Sequence, residues 1–84
     1  MSYRVLLPKA ARKQLDALPT NVLERISERL IQLKDNPRPS DCKKLHGREG
    51  WRIRIGDYRV IYHIQDDPPV VLVLSVGHRR DVYR

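Results

Sequence analysis

The chain has 84 residues, 40% apolar and 32% charged, enough for one small domain (1–84) with a single core and little stability in reserve. Seventeen Lys and Arg against ten Asp and Glu give a net charge of +7, which points to a polyanionic partner such as nucleic acid or an acidic protein. No apolar run approaches the roughly 18 residues of a membrane span, and the opening MSYRVLLPKAARK puts its apolar patch before its charges, the wrong order for a signal peptide. A cytoplasmic protein is expected. The single cysteine, Cys42, excludes an internal disulfide. Neither it nor His46, His63 and His78 has metal-ligand spacing, so no metal or cofactor is expected.

In chain order, Tyr3 to Leu7 is a short strand ended by Pro8, which opens a helix with Ala11, Leu15 and Leu18 at helical spacing. Pro19 stops it. Thr20 or Asn21 caps a second helix, Asn21 and Glu24 resembling a capping box, with an apolar stripe of Val22, Ile26, Leu30 and Leu33 that Leu23 and Ile31 widen. Asn36-Pro37 ends it, and a turn-rich stretch leads through KKLHGREG to three strands. The first two, Trp51 to Ile55 and Tyr58 to Gln65, flank Gly56-Asp57, a tight-hairpin turn with glycine first. The loop DDPP precedes the third, Val70 to Val76, whose continuous apolar run suits a strand central in the sheet or covered on both faces. The layout β-α-α-β-β-β is an α+β domain, a helical hairpin packed on one face of an antiparallel sheet.

Closing the hairpin on Gly56-Asp57 pairs Ile55 with Tyr58, Arg54 with Arg59, Ile53 with Val60 and Trp51 with Tyr62. Side chains alternate across a strand, so these apolar residues seat the helices and Arg52, Arg54, Arg59, Ile61 and His63 lie opposite. A regular second hairpin across DDPP pairs Arg59 with Val76 and brings His78 beside Arg59. The face then has a cationic end, Arg52, Arg54, Arg59 and His78, and an apolar end, Ile61, Leu72 and Leu74. Arg54 opposite Arg59 costs some tenths of a kcal/mol. A bound phosphate would offset that, and the planar guanidinium fork suits phosphate oxygens.

The early helical hairpin, KKLHG, the basic residues alternating in RIRI, the hairpin GDYRVIY and the ending VGHRRDVYR, in this order, resemble the RelE toxins of bacterial toxin-antitoxin pairs, within the RelE/ParE superfamily. The likeness covers essentially the whole chain. It implies an endoribonuclease that cuts mRNA in the ribosomal A site by attack of a 2′-hydroxyl on the next phosphate, silenced by a cognate acidic antitoxin. Carried over, Arg52 and Arg54 match the basic pair of the first hairpin strand, Arg59 the arginine of the second, Arg79 the one after the glycine, and Tyr83 a tyrosine that stacks on a base. Arg54, Arg59 and Arg79 would stabilise charge developing on phosphorus. Several relatives have lysine where this chain has Arg52 and Arg54, and arginine is a poor base, so His78 is the expected acid or base. Lys43, Lys44 and the first helix's Lys9, Arg12 and Lys13 are candidate ribosomal RNA contacts. Many relatives carry a further C-terminal helix. Its lack here leaves the apolar sheet end open to an antitoxin helix or strand. A ParE-like gyrase poison without RNA chemistry, or an inactive antitoxin-binding module, are the alternatives.

Overall fold

A computed structural model describes residues 2–78. Strand β1 (Arg4–Leu6) leads to helices α1 (Lys9–Asp16) and α2 (Thr20–Leu33), followed by β2 (Lys43–Lys44), β3 (Trp51–Ile55), β4 (Tyr58–Asp66) and β5 (Pro69–His78). The five strands form one sheet in the order β1-β5-β4-β3-β2, in which β1 runs parallel to β5 and the remaining pairs are antiparallel. The expected α+β arrangement holds, with β2 added at one edge and one parallel pair at the other.

The helices cover one face, α1 against β5 and α2 against β1 and β3. Ala11 and Leu15 of α1 and Val22, Ile26, Leu30 and Leu33 of α2 meet Ile53, Ile55, Val60, Tyr62, Ile64, Val71, Val73 and Val76 of the sheet. Apolar burial of this kind stabilises by about 1.5 to 3 kcal/mol per large side chain. Tyr62 lies at the centre, and its hydroxyl donates to the Pro37 carbonyl at 2.8 Å. Burial pushes that phenol well above its ordinary pKa, so it remains a donor at any working pH.

Two details of the helices differ from expectation. Pro19, not Thr20 or Asn21, occupies the N-cap of α2, and its carbonyl accepts from Leu23 N–H at 2.9 Å without any side-chain cap. Ile31 does not join the core. It is 60% exposed, because the buried stripe follows Val22, Ile26, Leu30 and Leu33 and leaves position 31 on its solvent side.

The first hairpin has the expected register, including Arg54 opposite Arg59. Gly56 at φ 60° takes the first turn position, a left-handed conformation that glycine adopts without strain. The second hairpin departs from expectation halfway along. Asp66 pairs with Pro69 around a two-residue turn, and the regular register runs as far as Tyr62 opposite Val73. A bulge follows, with Ile61 opposite Ser75 and Leu74 left as the extra residue. Beyond it Val60 pairs with Val76, Arg59 with Gly77 and Tyr58 with His78.

The bulge has an energetic reason. In the regular register Ser75 would face the helices opposite Val60, and Val76 would face outward. The slip buries Val76 and turns Ser75 to the outer face, and Gln14 of α1 accepts from Val76 N–H at 2.8 Å. Leu74 is left 41% exposed. β5 is thus interior in the ladder, but no helix among the described residues covers its outer face.

Candidate nucleic-acid interface

Pairing places two rows across the outer face, since directly opposed residues share a side of the sheet. One row runs Arg54, Arg59, Gly77 and the other Lys43, Arg52, Ile61, Ser75. Neither row contains an acidic residue. Gly77 has no side chain, so β5 presents backbone opposite Arg59. Arg54 is exposed, while Arg52 and Arg59 are half-buried. Asp57, in the turn itself, forms no ion pair among the described residues, and neither does Arg54.

A further cation comes from the helix layer. Arg25 of α2 reaches the same turn, its guanidinium 3.8 Å from where a Cβ at position 56 would stand. Nothing in the spacing of α2 singles out Arg25, which reads as one more solvated charge on a helix. Gly77 is likewise visible only once its partner across the ladder is known.

Not all expected residues join this cluster. His78 does not lie beside Arg59 on the outer face: the bulge pairs it with Tyr58 on the helix side, where the two rings meet edge to face with centroids 5.5 Å apart. The acid-base role given to His78 therefore loses its geometric basis. Ile61 does belong to the outer face, but it is only 1% exposed and so is no part of an open apolar end. That end consists instead of Leu6, Leu72 and Leu74, with Leu6 on β1 opposite Leu72 and 38% exposed. Lys9, Arg12 and Lys13 project from α1 on the other side of the sheet, Arg12 lying 3.8 Å from Asp16. They are not contiguous with the arginine rows. Arg79 and Tyr83 lie outside the described residues.

The cluster can bind an anion through fixed positive charge, and no group of three or more His, Cys, Asp or Glu suited to a metal ion occurs among the described residues. No helix there is long and apolar enough to cross a membrane.

A family model described as the ParE toxin of the type II toxin-antitoxin system, parDE, matches residues 5–83. The toxin RelG of Mycobacterium tuberculosis is 35% identical over 88 residues, covering 100% of this chain and 99% of its own. The mRNA interferase toxin RelE of Escherichia coli is 30% identical over 82 residues, covering 94% of this chain and 85% of its own. Among solved structures, the archaeal RelE-RelB complex of Pyrococcus horikoshii superposes with a TM-score of 0.84 at 34% identity, over 96% of this chain and 99% of the matched one.

Proposed function

Since the chain belongs to the RelE family of toxins from type II toxin-antitoxin systems, we propose that it is a ribosome-dependent mRNA endoribonuclease acting in the A site. The observation that carries this reading is the row Arg54, Arg59, Gly77 on the face of the sheet away from the helices, two arginines beside a glycine. In the reaction the 2′-oxygen of one nucleotide bonds to the adjacent phosphorus as the bond from phosphorus to the 5′-oxygen breaks. A 2′,3′-cyclic phosphate and a 5′-hydroxyl result. Arg54 and Arg59 are assigned to hold the phosphate and stabilise the charge that accumulates on its oxygens, a role suited to groups that stay protonated. Arg52 extends the same face toward the flanking nucleotide. Arg79 is assigned to the same charge stabilisation, and Tyr83 to stacking on a neighbouring base, which is worth about 1 to 3 kcal/mol.

The partner that silences the toxin is a cognate acidic antitoxin. The net charge of +7 favours an acidic partner, and the strip of Leu6, Leu72 and Leu74 beside the short edge strand β1 offers it an apolar seat. The solved relative in complex with RelB supports a partner of this kind. Lys43 and Lys44, at the β2 edge of the cationic face, are assigned to RNA contact.

Primer extension on mRNA in a translation extract tests the reading. Wild type should produce codon-phased cuts that vanish with Arg59→Ala and Tyr83→Ala. The description of the matching family model favours a second reading, a ParE-like gyrase poison. Altered DNA supercoiling without mRNA cuts would replace the first reading with that one.

A further inference from the structure

Past Leu72 the strand β5 loses support on one side. β1 pairs with it only from Arg4 opposite Val70 to Leu6 opposite Leu72, so from Val73 onward β4 is its one neighbouring strand among the described residues. The ladder to β4 is itself broken by the extra residue Leu74. The segment 75–78 is therefore held to the sheet along one edge, beyond a break. It nevertheless carries Gly77 opposite Arg59, and Arg79 follows it directly in the sequence.

Helix α1, which packs on β5, takes over where β1 stops. Alternate residues of a strand turn their N–H groups away from a given neighbour, toward whatever lies on the other side. At Val76 the group met there is a side chain: Gln14 Oε1 accepts the Val76 N–H at 2.8 Å. Gln14 occupies an exposed position of α1, where a glutamine ordinarily reaches into water, yet Ala11 and Leu15 on either side of it are buried in the core. Its amide is thus offered from a fixed base. We propose that Gln14 is a positioning residue for RNA cleavage: through Val76 it holds the end of β5 in place, and with it Gly77 opposite Arg59 and the point from which the chain runs on to Arg79. The inference rests on the ribonuclease reading above. The helices lie on the face away from the arginine row, so the effect passes through the strand and involves no contact between Gln14 and RNA.

Two consequences separate this role from general support of the fold. The first concerns which step suffers. Arg52, Arg54 and Arg59 belong to β3 and β4, whose pairing does not involve Val76. A loosened end of β5 should therefore leave binding largely intact and slow the reaction of the bound complex, since a misplacement of about 1 Å can cost about 100-fold in rate. The second concerns which side chains can substitute. Glutamate keeps an acceptor oxygen at the same reach, asparagine carries it one methylene short, and leucine has the bulk without the acceptor.

The test is single-turnover cleavage of mRNA on ribosomes by the full chain, followed over a range of ribosome concentrations well below the melting temperature of every variant. Gln14→Leu and Gln14→Asn should each lower the rate at saturation by about tenfold or more and leave the half-saturating concentration within about threefold of wild type. Gln14→Glu should keep both within about threefold. Val71→Ala, at a buried position before the bulge, should lose at least as much stability as Gln14→Leu and still cleave within about threefold of wild type. In NMR spectra of the free protein, the Gly77 amide signal should shift in the Leu and Asn variants while that of Val71 stays in place. A rate loss shared by Gln14→Glu or by Val71→Ala, or one that leaves the Gly77 signal unmoved, overturns the positioning role. If wild type makes codon-phased cuts and Gln14→Leu makes them as fast, this role alone falls. If wild type makes none, the ribonuclease reading falls and takes this role with it.

Discussion

At the Asp67-Pro68 end of the sheet, Arg38 has partners from three parts of the chain. Its guanidinium donates to Asp66 Oδ2 at 3.2 Å, the Tyr3 hydroxyl donates to Asp66 Oδ1 at 2.7 Å, and the guanidinium carbon lies 5.6 Å from the Trp51 ring centroid. At the Gly56-Asp57 end, Arg54 and Arg59 face each other in a row without a carboxylate, and Arg25 adds a third guanidinium at the turn. The same side chain is used in two ways. Where a carboxylate and an aromatic ring surround it, arginine joins segments of the chain. Where cations gather side by side, their mutual repulsion costs stability that a bound anion offsets.

The largest effect should come from the cation-rich end. Arg59→Ala is expected to lower the single-turnover rate of mRNA cleavage on ribosomes by about 100-fold or more, the usual scale for removing one group that stabilises developing charge. Its melting temperature should move less than in either core variant below. A large loss of stability with cleavage intact would reverse the contrast between the two ends.

The bulge connects that end to the core, so it can be disturbed from the helix side. Val76→Ala removes two buried methyl groups and should cost about 2 kcal/mol in urea unfolding. Gln14→Leu removes the acceptor that Val76 N–H uses and should cost about 1 kcal/mol. It should also speed hydrogen exchange at Val76 more than at Val71. Uniform acceleration across β5 would show that Gln14 supports the whole strand and not the bulge.

The first hairpin was legible because Gly56-Asp57 fixes the turn and strict alternation fixes the faces, which placed Arg52, Arg54 and Arg59 correctly. The second was legible only to Tyr62. One extra residue, Leu74, reverses every face beyond it, and so His78 moved from the arginine side to the helix side. The signal was present in VVLVLSVGH: alternation buries Val71 and Val73, then would bury Ser75 and expose Val76, and a slip corrects both. The cavity on the outer face between Lys43, Lys44, Leu45 and Arg52 was not legible, because its wall is a two-residue strand and a loop closed by one backbone hydrogen bond. Such short pairings leave no periodicity to read.

The smallest effect belongs to the paired arginine. Hydrogen bonds from Arg38 and then from Tyr3 hold the Asp66 carboxyl below its ordinary pKa. A carboxyl depressed in the folded state contributes stability above its unfolded pKa of about 3.9, and that contribution is lost as pH falls through the lower folded value. Asp66→Asn should therefore lower the melting temperature slightly near pH 7 and flatten its decline below about pH 4. Both partners of the ion pair are well exposed, so solvent and salt screen it, and the difference between variant and wild type should shrink at high ionic strength. Cleavage by this variant should match wild type, since the Tyr3, Asp66 and Arg38 network ties together the opposite end of the sheet from the arginine row. A fall in cleavage comparable to that of Arg59→Ala, with the melting temperature unchanged, would mean that the two ends do not act separately.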